Sequence, residues 1–415
     1  MAGAIDGDAA MSDVILDISR LISRVRYSTP SGVDRVEMAY ARGLLRMYGD
    51  ALAFAAVHPT GIYGRIKRVT ALAYLDELEG RWSHESKSPH QRPILSILPW
   101  MARLLPQRPP APASDRPRIY VQVSPHHLTD TLKVRRILAR EQARFVCMVH
   151  DVIPIEYPEY ARPSGAALHE RRMQTLASHA DAVIVNSAAT GRSCQPWIDR
   201  SGRQIATHVA LLGTEPLAEA SHSAPAGKHP YFVCIGTIEP RKNHLLLLNL
   251  WRHLAQTLPA DSIPRLVIIG KRGWENEQVL DMLDRCPALR AHVEEVNGCC
   301  DAQLATLLRG ARALLMPSFA EGFGMPVAEA LSVGVPVICS NIPAHREVGG
   351  TTPDYADPLD GPRWKALVLD HAQGGVMRQA QMKRLPQWRE PTWDQHMAVV
   401  GQAISDLGGR SSPAV

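Results

Sequence analysis

The chain has 415 residues, of which 45% are hydrophobic and 21% charged, and its formal net charge is +5. This length exceeds the size at which a single hydrophobic core keeps growing, so two domains are expected. The composition is typical of an α/β protein in water, and no apolar run approaches the length that spans a bilayer, which argues against an integral membrane protein.

The N-terminus and the cysteines both favour a cytoplasmic protein. The first ten residues, MAGAIDGDAA, carry acids where a signal peptide needs positive charge, and a start at Met11 would lead directly into a strand-like run. The seven cysteines, an odd number, lie in apolar contexts such as FVCIG, which is typical of reduced core thiols. Cys299 and Cys300 lack a second pair or a nearby histidine at metal-binding spacing, so no metal site is expected.

The basic surplus lies in one segment of the first half. Residues 1–225 contain 27 Lys or Arg against 22 Asp or Glu, and the remainder balances at 19 against 19. Segment 80–118, rich in proline, holds seven basic and two acidic residues, which accounts for the surplus. Its apolar middle, flanked by Arg92, Arg103 and Arg108, is compatible with docking on an anionic membrane surface. Its prolines favour the alternative, a surface loop folded over its own domain.

The first half alternates strand-like and helix-like segments. In chain order these are VILDISRLI, the helix-like DRVEMAYARGLLRMYG, ALAFAAVH, RIYVQVS, the helix-like TDTLKVRRILAREQ, RFVCMVHDVIP and DAVIVNS. This alternation predicts a doubly wound parallel sheet in a domain over residues 1–225. The Ala-, Ser- and Pro-rich stretch 215–230 lacks periodicity, so we interpret it as the linker between domains.

The alternation restarts after the linker. Strand-like YFVCIG, RLVIIG and AHVEEVNG alternate with helix-like LLLLNLWRHLAQTL and EQVLDMLDRC, which predicts a second doubly wound domain over 226–388. WDQHMAVVGQAISDL predicts an amphipathic helix within 389–410. Two such domains place the carboxyl ends of their strands on opposite sides of a central cleft, where ligands bind.

The stretch FAEGFGMPVAEALSVGVP, residues 319–336, lies between two strand-like runs of the second domain. Pro326 suits the opening turn of a helix, because it has no N–H to leave unpaired and its φ is already helical. The helix is therefore expected to begin near Met325, with Glu329 on its first turn. This order predicts a ligand-binding loop at the carboxyl end of a strand.

Charged side chains and glycines surround this predicted helix start. Glu321 lies in the preceding loop, where Gly322 and Gly324 let the backbone turn tightly and approach a ligand. Arg241 and Lys242 follow the first strand of the same domain in GTIEPRKN, and so emerge at the same sheet edge. Two cations beside a helix N-terminus suit a diphosphate, and the glutamates suit sugar hydroxyls, so we predict a nucleotide sugar as ligand.

The chain resembles the retaining glycosyltransferases of family four, which have the GT-B fold of two Rossmann-like domains. The resemblance covers the whole C-terminal domain through E-x7-E, here Glu321 to Glu329, with GTIEPRKN upstream and GVPVICSNIPAHREV downstream. In the first half it is looser and depends on TPSGVDRVE and VHDVIP. SGVDRV departs from the family's commoner double-glycine loop and leaves Gly32 as the only glycine able to approach the donor phosphate. PTWDQHM resembles the family's closing segment, whose helix crosses back to the first domain.

The resemblance implies an acceptor-binding first domain and a donor-binding second domain. It places Glu329 on the ribose hydroxyls, Glu321 with the backbone of Phe323 and Gly324 on the donor sugar, and His150 near the reacting carbon. Arg241 and Lys242 would bind the diphosphate without a metal or other cofactor. The anomeric configuration would be retained by same-face attack, and the alternative route is a glutamate nucleophile as in retaining hydrolases. The predicted donor-binding set is completed by Gly32, Gly236, Lys271, Gly322 and Met325.

Each assignment has a structural alternative. Glu329 could be an acid stabilised near a helix N-terminus, His150 a hydrogen-bonded structural residue, and Lys271 a surface side chain. Arg241 and Lys242 could form a solvated turn. We assign His126 and His127 to a loop, without a site role.

The functional alternatives are a nucleotide-sugar 2-epimerase of the same fold and an inactive partner in a polysaccharide-assembly complex. The SGVDRV variant is similar to mannosyl- and rhamnosyltransferases of bacterial surface polysaccharides, so GDP-mannose is the first choice of donor. The implied acceptor is a glycan or a lipid-linked glycan at the inner membrane face, and no nucleic acid partner is expected.

Overall fold

The computed structural model describes residues 12–27, 29–83, 94–109, 116–216 and 229–409. Within these ranges two α/β domains face each other, one built on a seven-stranded sheet and the other on a six-stranded sheet. The predicted GT-B architecture is therefore confirmed. Most of the predicted linker 215–230 lies outside the described residues.

The sheet of the first domain has the order β3-β2-β1-β4-β5-β6-β7. Only β3 runs antiparallel to its neighbour, so the prediction of a wholly parallel sheet is wrong at this edge. An antiparallel strand can return after a short turn, whereas a parallel one needs a longer crossover. The strands are β1 (Asp13–Asp17), β2 (Leu52–Val57), β3 (Tyr63–Ile66), β4 (Arg118–Gln122), β5 (Ala143–Val149), β6 (Ala182–Val185) and β7 (Ala206–Val209).

Helices cover both faces of this sheet and bury its apolar strands. The core on one face includes Leu16, Phe54 and Val121, and the core on the other includes Ile15, Phe145 and Val183. The helices are α1 (Ser19–Ser23), α2 (Gly32–Tyr48), α3 (Arg68–Ser83), α4 (Ile94–Arg103), α5 (Thr131–Glu141), α6 (Ile153–Glu156), α7 (Gly165–His179) and α8 (Ala188–Arg200).

The sheet of the second domain is wholly parallel and has the order β10-β9-β8-β11-β12-β13. Its central strands are short apolar runs buried on both faces, as expected for a parallel sheet between helix layers. The strands are β8 (Tyr231–Ile235), β9 (Arg265–Ile269), β10 (Val293–Val296), β11 (Leu314–Met316), β12 (Val337–Ser340) and β13 (Asp354–Ala356).

The last helix of the chain packs on the first domain. His396 Nε2 lies 2.9 Å from the hydroxyl of Tyr40 on α2, and Met397 packs against Gly43 of the same helix. The helices after the first domain are α9 (His244–Thr257), α10 (Glu277–Arg285), α11 (Asp301–Arg309), α12 (Met325–Ser332), α13 (Pro343–Gly349), α14 (Gly361–Gln373), α15 (Val376–Arg384) and α16 (Trp393–Gly408).

The apolar run of segment 80–118 forms α4, which lies against its own domain. Ile97 and Leu104 are buried, and the ring of Trp100 packs edge-on against Tyr74 with centroids 5.3 Å apart. Leu98 on the outer face is half exposed, and Arg92 lies outside the described residues. Of the helices in the described ranges, none combines the length and apolarity that crossing a membrane requires.

Candidate active site

A cleft of about 400 Å³ lies between the two domains at the carboxyl ends of both sheets. Both the glycine loop before α12 and the N-terminus of α2 line it. The twelve residues predicted for the site all lie on its wall, although their roles toward a ligand stay predictions. They are Gly32, His150, Gly236, Arg241, Lys242, Lys271, Glu321, Gly322, Phe323, Gly324, Met325 and Glu329.

The loop between β11 and α12, residues 317–324, forms one wall of the cleft, and we name it the donor loop after its predicted role. The helix begins at Met325, as Pro326 predicts. Gly324 precedes the helix with a φ of 100°, a backbone conformation that residues other than glycine rarely adopt. The prediction for Glu329 is wrong in one respect, because four helical residues precede it and it lies in the second turn, beyond the free N–H groups.

Glu321 of the donor loop is held by two cations. Its carboxylate lies 2.6 Å from Arg241 Nη1 and 2.5 Å from Lys242 Nζ, and it accepts a hydrogen bond of 2.8 Å from the hydroxyl of Ser318. Burial opposes its ionisation, but the charges of Arg241 and Lys242 outweigh burial and hold its pKa below the ordinary value. Glu321 is therefore ionised at neutral pH. The adjacent Arg241 and Lys242 compensate its negative charge, which reduces the repulsion expected between this carboxylate and a diphosphate ligand.

Arg241 also pairs with a second carboxylate. Its Nε lies 2.6 Å from Glu239, so the guanidinium bridges Glu239 and Glu321. Burial raises the pKa of Glu239, and the charge of Arg241 opposes that rise. The fork of Arg241 and the ammonium of Lys242 thus lie side by side at the carboxyl end of β8, where the sequence places them.

Glu329 differs from Glu321 in having no such partner. Among the described residues, none donates a hydrogen bond to its carboxylate, although the side chain lines the cleft. Burial raises its pKa, and the nearby charge of Arg35 lowers it by less. An acceptor held in a desolvated cleft without a donor is suited to ligand hydroxyl groups.

Arg35 and Asp301 join the two domains beside Glu329. Arg35 lies on α2 and its Nη2 is 2.5 Å from the carboxylate of Asp301, the first residue of α11. Sequence reasoning missed this pair, because 266 positions separate the two residues and the SGVDRV motif that contains Arg35 gives no sign of a partner at Asp301.

His150 lies at the end of β5, facing the donor loop. Its Nε2 is 2.8 Å from the carbonyl oxygen of Val123, which can only accept, so Nε2 carries the proton and Nδ1 keeps a lone pair. Burial lowers the pKa of His150, which favours the neutral ring at neutral pH. The arrangement offers the cleft a hydrogen-bond acceptor rather than a cation.

The donor loop contacts the first domain directly. A Cβ added to Gly322 would lie 2.1 Å from the carbonyl oxygen of His150, so only glycine permits this approach. Gly32 at the start of α2 faces Met325 of α12, with 3.3 Å between its built Cβ and the methionine sulfur. Both predicted glycines therefore lie where the domains meet.

Lys271 and His345 are two further titratable side chains near the donor loop. Lys271 lines the cleft after β9, and burial followed by the charge of Arg24 lowers its pKa. His345 packs against Gly324, and burial lowers its pKa to about 4. In the described part of the chain, no three His, Cys, Asp or Glu side chains are grouped as metal ligands.

Comparison with known families agrees with this geometry. Residues 218–351, which include the donor loop and Arg241, match the family described as glycosyl transferases group 1. The chain therefore carries a glycosyl transferases group 1 domain. The predicted resemblance to group 1 glycosyltransferases of GT-B fold is confirmed, whereas retention of the anomeric configuration and the roles of the two glutamates stay predictions.

Curated relatives are similar in sequence to this chain, and a solved structure is similar in fold. The serotype-specific mannosyltransferase WbdA of Escherichia coli is 30% identical over 277 residues, which are 59% of this chain and 33% of WbdA. O-antigen chain mannosyltransferase B of Escherichia coli is 36% identical over 167 residues, 40% of this chain and 42% of that protein. This chain thus spans about a third of WbdA. Sucrose-phosphate synthase from Thermosynechococcus elongatus superposes with a TM-score of 0.60 at 15% identity, covering 95% of this chain and 99% of that one.

Proposed function

We propose that this protein transfers a sugar from a nucleotide sugar to a glycan acceptor in the synthesis of a bacterial surface polysaccharide. The observation that carries the proposal is the junction of Arg241, Lys242 and Glu321 at the start of α12, with Glu329 unpaired beside it. Two cations and a helix start suit the diphosphate, and two carboxylates suit the hydroxyl groups of the two sugars.

We propose a mannosyl group as the sugar and GDP-mannose as the donor. Support comes from WbdA and O-antigen chain mannosyltransferase B, whose names state mannosyl transfer. The glycine loop SGVDRV, which is similar to the corresponding loop of mannosyl- and rhamnosyltransferases, forms the start of α2 on the cleft wall.

The proposed reaction retains the anomeric configuration. The bond from the anomeric carbon to the diphosphate oxygen breaks, and the acceptor hydroxyl attacks that carbon from the same face while its proton passes to the departing oxygen. Arg241 and Lys242 stabilise the charge that develops on the leaving diphosphate, so the step needs no metal. Glu321 and the neutral Nδ1 of His150 accept hydrogen bonds from the hydroxyl groups of the donor sugar and orient it.

A nucleotide screen followed by product analysis tests the proposal. A nucleotide at 100 times its dissociation constant stabilises the folded state by about 2.7 kcal/mol, so GDP should raise the melting temperature more than UDP or ADP. Mannose from GDP-mannose should then appear in product only when an acceptor oligosaccharide is added. Conversion of the nucleotide sugar without acceptor would favour the epimerase, and neither binding nor turnover would favour the inactive partner.

We also propose that the outer face of α4 contacts an anionic membrane, where a lipid-linked acceptor would be found. Leu98 and Arg103 on α4, and Leu105 and Arg108 in the segment directly after it, are all exposed, the two leucines to 50% each. Apolar side chains beside cations suit a lipid interface, and each basic residue near such a surface contributes about 1 kcal/mol.

Sedimentation with vesicles that contain phosphatidylglycerol tests this contact. The double change Arg103→Gln and Arg108→Gln should weaken binding, and high salt should weaken it for the wild type. The control changes the exposed Arg135 and Arg200 of α5 and α8 to Gln, which removes equal charge elsewhere on the domain. Equal loss in both variants, or no wild-type binding at low salt, would return α4 to a plain surface role.

A further inference from the structure

The segment that leads from β6 into α8, residues 186–190, meets the second domain at two points. The hydroxyl of Ser187 donates a 2.8 Å hydrogen bond to the carbonyl oxygen of Gly322 in the donor loop. The backbone N–H groups of Ala188 and Ala189 donate to the two carboxylate oxygens of Glu347, at 2.6 and 2.7 Å. Glu347 belongs to α13, so a side chain of one domain binds the helix start of the other.

The physical basis of this contact is the unpaired N-terminus of α8. The first N–H groups of a helix have no intrahelical partner, and the helix dipole favours a negative charge there. Ser187 satisfies one of them, since its side chain accepts from the N–H of Thr190 at 3.0 Å. Glu347 satisfies two more with an ionised acceptor, which forms stronger hydrogen bonds than a neutral one.

The same segment connects the two sides of the cleft. Asn186 donates from Nδ2 to the carbonyl oxygen of His150 at 2.8 Å, and Gly322 lies directly against that same oxygen. Residues 186–190 therefore hold the backbone of His150 and the backbone of the donor loop next to each other. The distance between His150 and Glu321 depends on how the start of α8 docks on the second domain.

We propose that Glu347 is a positioning residue that fixes the closed arrangement of the domains and thereby aligns His150 with the donor loop. Its carboxylate touches no cleft surface, so it acts through the start of α8 rather than on the substrate. The two hydrogen bonds from α8 to Glu347 form only when the domains are closed. Their loss destabilises the closed arrangement and shifts the population toward open domains. The catalytic part of the inference rests on the proposed transferase function, whereas the domain geometry does not.

Steady-state kinetics test the catalytic consequence. Glu347→Ala should lower kcat for mannosyl transfer by about tenfold or more, with the KM for GDP-mannose changed by less than about threefold, as expected for an alignment effect. The KM should change little, because the predicted donor-binding residues Arg241, Lys242 and Glu329 all belong to the second domain and keep their relative positions when the domains open. Glu347→Asp, with a shorter side chain that reaches fewer N–H groups, should give an intermediate kcat.

The domain geometry provides a readout that needs no turnover. A pair of spin labels, one on each domain, should report a longer or broader distance distribution in Glu347→Ala than in the wild type, with and without GDP. The matched control is Glu277→Gln, which removes an exposed glutamate of α10. This control should keep wild-type kinetics and distances.

The outcomes separate the two proposals. A Glu347→Ala protein with wild-type kcat and an unchanged distance distribution would overturn the positioning role. If the wild-type protein transfers no sugar but the Glu347→Ala variant still shows longer distances between the domains, the transferase proposal is refuted and the closure contact is supported. A variant with an altered KM for donor and an unchanged kcat would also contradict positioning, because it would place Glu347 in donor binding.

Discussion

Lys242 provides the most direct test of how the cleft works. Its ammonium lies 2.5 Å from Glu321, its side chain is 9% exposed, and its methylenes pack against Gly236. Lys242→Ala removes both the charge and the packing. Lys242→Met removes the charge and keeps most of the apolar stem, so the two changes together separate catalysis from stability.

The expected magnitudes follow from this environment. If the ammonium stabilises the departing diphosphate, losing one preorganised donor raises the activation free energy by about 2.7–4 kcal/mol, a factor of about 10² to 10³ in kcat. Arg241 and Ser318 still donate hydrogen bonds to Glu321 after the change, so its carboxylate does not become a buried, unpaired charge. The free energy of unfolding should therefore fall by about 1.5–3 kcal/mol, the cost of one charged hydrogen bond, with a further packing loss only in the alanine variant.

The assay is steady-state transfer at saturating GDP-mannose and acceptor, with thermal unfolding measured on the same preparations. Both variants should lose kcat to a similar extent, and only Lys242→Ala should show the larger drop in melting temperature. A folded Lys242→Met protein whose kcat stays within about threefold of wild type would refute the role of this charge in the transition state.

Three further predictions concern Glu329, Gly322 and the requirement for a metal. Glu329→Gln should raise the KM for donor by about tenfold or more, through loss of a charged acceptor, while stabilising the fold at neutral pH. Burial raises the pKa of Glu329, so the ionised carboxylate destabilises the folded state at neutral pH. The glutamine variant should therefore melt at a higher temperature than the wild type, and this difference should shrink as the pH falls through the pKa of Glu329. Gly322→Ala would place a Cβ 2.1 Å from the carbonyl of His150, so kcat should fall by about tenfold while calorimetric GDP binding persists; equal kcat would mean that the domains close differently. Dialysis against EDTA should leave activity unchanged, and recovery only on adding Mg²⁺ or Mn²⁺ would contradict the metal-free proposal.

The sequence by itself determined the local elements and the place of the donor loop. Short β-branched runs predict the parallel strands, and Pro326 and the flanking glycines predict where α12 begins, because these preferences depend on neighbouring residues alone. The edge strand β3 was the exception, because strand pairing at a sheet edge depends on contacts that the local sequence does not reveal. Glu329 was placed one turn too early, although the fifth residue of a helix that begins at Met325 already lies in the second turn.

Only the tertiary structure decided which charges meet. Arg35 with Asp301, and Glu347 with the start of α8, join residues separated by 266 and 159 positions, and no period or motif relates such positions. The pairing of Glu321 with Arg241 and Lys242 likewise follows from two strands of one sheet ending at the same edge. Local chemistry shows which side chains can bind a ligand, whereas their partners, their burial and therefore their protonation are set by the packing of distant segments.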